Sequence, residues 1–81
     1  MSLRKPWRDL DRTTLAGAPD APGVYELGDA DGEPLRIDSG IVRDELKEVL
    51  AYGSGEATQV RWTVAQSPDH ADRLLAEHVG E

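Results

Sequence analysis

Few residues in the chain combine the types and spacing that chemistry requires. Cys is absent from the 81 residues, which removes disulfides, thiolate metal sites and thiol nucleophiles. His70 and His78 stand eight positions apart, beyond the i, i+4 spacing that turns two imidazoles toward one metal. His70 with Asp69 or Asp72 could hold a cation, but a solvated first helical turn accounts for the same residues. The run Asp29-Ala30-Asp31-Gly32 lacks the Glu that a calcium loop needs at its twelfth position. No phosphate-cradling glycine loop, dinucleotide fingerprint or Ser-His-Asp order occurs. What remains is Tyr25 in an apolar run, the cations Arg36, Arg43 and Arg61, and the carboxylates Glu45 and Glu77. A strand tyrosine usually packs its ring and keeps its hydroxyl wet. The three arginines would make a basic patch if they shared a face. The expectation here is that they pair instead across strands with acids such as Glu26 and Asp38.

These residues need elements to position them. Residues 1–22 read as a lead-in anchored by Trp7, Leu10 and Leu15, with Trp7 and Leu10 spaced for a helical turn. Pro19, Pro22 and Gly23 break any helix. Val24–Leu27 and Leu35–Asp38 read as two strands around the Asp-Gly-rich turn 28–34, a β-hairpin. Ser39-Gly40 ends it and supplies a candidate cap. From residue 41 to 52 the apolar residues Val42, Leu46, Val49 and Leu50 fall at i, i+4, i+7 and i+8, one stripe of a helix that Gly53 stops. Val60, Trp62 and Val64 alternate with Arg61 and Thr63 as a third strand. Ser67-Pro68 opens a last helix with a hydroxyl cap and Pro at its first position, and Ala71, Leu74, Leu75, His78 and Val79 share one face of it. The expected fold is α+β: a small three-stranded, mainly antiparallel sheet with two main helices, in the order β-β-α-β-α after the lead-in. Its core would bring Val24, Leu35, Ile37, Val60, Trp62 and Val64 against Val42, Leu46, Leu50, Leu74, Leu75 and Val79. An exposed Trp7 would mark a partner surface.

Asp plus Glu number 16 against 9 Lys plus Arg, a net charge of −7 with a pI near 4.6. The acids are spread along the chain, lysine occurs only at Lys5 and Lys47, and Phe is absent. This composition suits a proteome kept at high internal salt, where acidic surfaces hold water and salt screens their repulsion. The same charge works against phosphate backbones, so nucleic acid is not the expected partner. The opening residues do not read as a secretory leader. No stretch has the length of a membrane span, and the expected location is cytoplasmic.

Residues 18–25, Ala-Pro-Asp-Ala-Pro-Gly-Val-Tyr, resemble the opening of GIY-YIG nuclease domains, in which Pro-Gly enters a first strand ending in Gly-Ile-Tyr or Gly-Val-Tyr. The element order from about Leu15 onward resembles that family too, giving a lead-in of 1–22 and a GIY-YIG-like domain of 23–81. What the resemblance implies about chemistry is a divalent metal held by one Glu of the last helix. Tyrosines of both strand motifs and an Arg of the first helix would assist, the Arg neutralising phosphate charge. Tyr25 matches the first tyrosine. The second tyrosine's position holds Arg36, in Arg36-Ile37-Asp38. The helix arginine's position holds Glu45, with Arg43 on another azimuth. The metal-binding Glu's position holds His70, before Ala71. Exchanging the arginine for Glu45 reverses the sign of the group that would meet a phosphorane.

The expectation is therefore a non-catalytic GIY-YIG-like binding or interaction domain with no cofactor and no metal. Its partner would be a protein or a second copy, rather than nucleic acid or a membrane. A divergent nuclease with a metal site rebuilt from His70 and Glu45 or Glu77 is the alternative. A structural protein without a ligand is the third reading.

Overall fold

The structure, a computed structural model, describes residue 3 and residues 5–79, without the side chain of Val79. The core contact expected of Val79 lies outside the described residues. Seven elements follow in the order β1 (Arg8–Asp9), α1 (Arg12–Ala16), β2 (Pro22–Gly28), β3 (Pro34–Ile41), α2 (Val42–Tyr52), β4 (Gln59–Val64) and α3 (Pro68–Val79). The class is the expected one, α+β around an antiparallel sheet.

The sheet has four strands, in the order β1-β4-β2-β3, rather than three. The fourth comes from the lead-in, where Arg8 and Asp9 pair with Val60 and Gln59. The Trp7 and Leu10 spacing was compatible with a helical turn. Extended chain prevails because β4 would otherwise present a bare edge along its whole length. The lead-in helix α1 starts later, where the Asp11 carboxylate caps the Thr14 N–H at 2.9 Å.

The hairpin forms as its turn chemistry dictates. Asp29 Oδ1 accepts from the amides of Asp31 and Glu33, and Gly32 takes φ +80°, a conformation that glycine adopts without steric cost. β2 lies at the centre, paired antiparallel with β3 on one side and β4 on the other. It is buried on both faces, from Gly23 to Gly28. Successive residues of a strand point to opposite faces, so Tyr25 and Leu27 share one face with Val60 and Trp62, while Val24 and Glu26 share the other with Arg61 and Ile37.

Each face has its own cover. Val42, Leu46 and Val49 of α2 close on the tyrosine face, with Ala18, Ala57, Leu10 and Leu15 filling its margins. Helix α3 covers the glutamate face, where Ser39 donates to the Asp72 carboxylate at 2.8 Å and Ala71 is buried. The single core expected from the six strand residues and two helices is thus split by the sheet. Leu35 and Val64 remain exposed, at 46% and 52%, because they lie at the ends of the strands. Among the described residues no helix is long and apolar enough to cross a membrane.

Two helix starts differ in kind. Ser67 caps α3 as expected, its hydroxyl accepting the His70 amide at 3.0 Å. At α2 neither Ser39 nor Gly40 caps; Ile41 is the boundary residue, with no side-chain bond. The amides of Val42 and Arg43 donate instead to the carbonyls of Ala21 and Pro19, at 3.1 and 3.0 Å. The proline-rich run before β2 therefore satisfies donors that the helix cannot satisfy internally, and Arg43 Nε adds a bond to the Ala18 carbonyl.

Candidate functional site

Arg36, Asp38, Glu45 and Glu48 gather on the tyrosine face, around Tyr25. Its register partner on β3 is Asp38, and Arg36 precedes Asp38 by two residues on the same face, joined to it at 3.2 Å. From above, α2 lowers Glu45 onto the hairpin. Gly40 makes this possible, since a β-carbon there would stand 2.6 Å from Glu45 Oε1. Glu48, one turn further along α2, completes the group.

The electrostatics are those of a crowded acidic pocket with one partly engaged cation. Burial pushes the Tyr25 phenol up to about 12; Arg36 works against this, while Glu45, Asp38 and Glu48 reinforce it. Tyr25 is 1% exposed, and at neutral pH its phenol stays protonated. Burial also raises the Glu45 carboxyl, followed by repulsion from Glu48 and Asp38, with Arg36 opposing. The fold therefore holds the Glu45 proton to higher pH than the unfolded chain does. The stabilisation this brings is complete below the unfolded carboxyl range and is lost as pH rises through the folded value. The surroundings of Glu45 resist its charge once the proton has left. Glu45→Gln should raise the thermal midpoint at pH 7 by about 2–4 °C, with the gain vanishing near pH 3. Calorimetry at both pH values checks this, and an equal gain at pH 3 would count against it.

Three of the four sequence-expected positions, Tyr25, Arg36 and Glu45, are thus brought together. His70 is not. It sits in the first turn of α3, on the far side of the sheet, where its Nδ1 accepts the Gln66 amide at 3.0 Å. The imidazole closes a helix start and has no part in the tyrosine cluster. Among the described residues no three His, Asp or Glu side chains are grouped as a metal would need. Surface grooves of about 410, 380 and 210 Å³ occur among the described residues, and none of these includes Tyr25, Glu45 or His70 in its lining.

Asp38 and Glu48 belong to the cluster and were not singled out from the sequence as site residues. The signals that could have found them are the hairpin register opposite Tyr25 and the one-turn spacing from Glu45. On the glutamate face, Arg61 pairs with buried Glu26 and lies under the Trp7 ring, 3.9 Å from its centroid. Arg61 thus pairs across strands as expected, whereas Arg36 pairs with Asp38 within its own strand and Arg43 bonds the Ala18 carbonyl rather than an acid, so these three arginines do not share a patch.

A small antiparallel α+β domain with a closed, acid-rich tyrosine cluster is the class of protein these observations define. A family model described as "Domain of unknown function (DUF7508)" matches residues 1–81, and the chain belongs to that family. No curated protein and no solved structure matches the chain.

Proposed function

We propose that this domain is a non-catalytic, GIY-YIG-like module whose role is to bind a protein partner or a second copy. The observation that carries the reading is the state of Tyr25. The residue that would correspond to the family's first tyrosine is 1% exposed, its phenol held protonated and ringed by Asp38, Glu45 and Glu48. A phosphodiester brought there would meet carboxylates, and Arg36 is already engaged by Asp38. Phosphoryl chemistry needs cations aimed at developing negative charge, and this arrangement offers the opposite. Retention of the hairpin, helix, strand and helix order with a changed site supports descent of the fold without the activity. The net charge of −7 suits a cytoplasm rich in salt and weighs against nucleic acid as the partner.

The test is a cleavage assay on single- and double-stranded DNA and RNA with Mg²⁺ or Mn²⁺, from low to molar KCl. No turnover is expected. Turnover that Tyr25→Phe abolishes would overturn the reading in favour of a divergent nuclease.

A further inference from the structure

The two edges of the sheet are treated differently. At one, β1 covers the start of β4, and Pro6 lies two residues before β1, where its missing N–H blunts further pairing. At the other, β3 runs eight residues and, among the described residues, no strand lies beyond it. Hydrogen-bonding groups alternate inward and outward along an antiparallel strand. The Val42 amide reaches the Ala21 carbonyl across the β2–β3 ladder, so the even-numbered residues Arg36, Asp38 and Gly40 turn their main-chain groups toward β2. Leu35, Ile37 and Ser39 then turn theirs outward, to the open edge.

We propose that this edge pairs with the same edge of a second copy of the chain, antiparallel about a two-fold axis through Ile37. In that register Ile37 of each copy exchanges N–H and C=O bonds with Ile37 of the other, and Leu35 pairs with Ser39. All of these are outward-turned residues. The same register sets Arg36 of one copy opposite Asp38 of the other, twice, on the tyrosine face. These side chains are 56% and 42% exposed and form an ion pair within their own strand, so pairing builds a ring of four alternating charges. Moving the axis to Arg36 or to Asp38 would place like charges opposite each other, which destabilises a sheet. Charges on an edge strand ordinarily prevent such contact; here their order makes one self-complementary register attractive and its neighbours repulsive. Leu35, 46% exposed, gains cover in the process.

Association has a competitor inside the monomer. Asp38 Oδ1 accepts the Ser39 amide at 2.8 Å, and this bond must be exchanged for the strand pairing. The dimer is therefore concentration-dependent rather than permanent. The inference gives the interaction reading above a surface, and rests on it only in taking a second copy as the partner.

Sedimentation equilibrium from roughly 10 μM to 1 mM, with amide exchange at both ends of that range, tests it. Dimer should accumulate as concentration rises, with the Leu35 and Ile37 amides exchanging more slowly. Asp38→Arg should weaken association about thirtyfold by setting arginine against arginine at both contacts. Adding Arg36→Asp to it restores opposite charges and should restore the dimer. Arg36→Asp alone is the second disrupting variant, in case Asp38→Arg unfolds. A monomer throughout, or a dimer indifferent to both single reversals, overturns the proposal. A dimer together with nuclease turnover would sink only the non-catalytic reading.

Discussion

Arg61→Ala should destabilise the domain by about 3–5 kcal/mol. A domain of this length has roughly 4–12 kcal/mol in total, so the variant should be close to unfolding at room temperature. Glu26 is the cause. It lies on the central strand, 3% exposed, directly opposite Arg61. Arg61 Nε and one terminal nitrogen reach its Oε1 at 2.6 and 2.5 Å. Deleting the guanidinium strands a carboxylate where water cannot reach it, which costs more than the pair contributes. The same side chain supports Trp7 and donates to the Lys5 carbonyl at 3.3 Å. Trp7 in turn packs against Gly28, where a β-carbon would stand 2.5 Å from its ring. The N-terminal segment should therefore loosen together with the ion pair. Replacing both partners, Glu26→Leu with Arg61→Leu, removes the stranded charge and should recover most of the loss. Urea unfolding of the three proteins decides it. A single variant within about 1 kcal/mol of the parent would show that Glu26 finds water.

Gly23→Ala should cost about 3 kcal/mol, the upper part of the range for overpacking. A β-carbon at this position overlaps the Thr63 carbonyl oxygen and stands 2.9 Å from Val42 Cγ2. Thr63 lies on the neighbouring strand, one register step away, and a main-chain atom cannot swing aside as a side chain does. Relief requires parting β2 from β4 at the point where α2 enters the core. Gly17→Ala is the matched control. Its nearest atom, the Thr14 carbonyl, is 3.7 Å away, φ is −93°, and the change should be near neutral. Thermal unfolding of the pair separates a steric requirement from general loss of glycine. The result also bears on the Pro-Gly-Val-Tyr run, since it explains the glycine by packing alone, whatever the chain's ancestry.

Local elements were legible because local rules place them. The α2 stripe of Val42, Leu46 and Val49 and the Ser67-Pro68 start of α3 each follow from contacts within a few residues. So does the turn held by Asp29. The sites were half legible. Glu45 stood out by its alignment, and the structure brings it beside Tyr25. His70 was selected by the same alignment and serves as a helix-start acceptor instead, because a bond to the Gln66 amide lies four residues away. Neither Asp38 nor Glu48 has meaning until the hairpin register and the helix azimuth are both set.

By itself the sequence determined composition, charge, helix stripes, strand propensity and turns, since each depends on residues near in the chain. Only the tertiary structure decided which face each helix covers, because a strand buried on both sides, such as β2, carries no periodic signal to assign its partners. It alone recruited Arg8 and Asp9 as a fourth strand, since two residues gain strand structure only from a neighbour distant in sequence. It likewise buried Glu26, a residue that by type belongs in water, through an arginine 35 positions away that makes the burial tolerable. The closing of Tyr25 under Glu45 is of the same kind: a strand, an edge and a helix had to meet before the cluster existed.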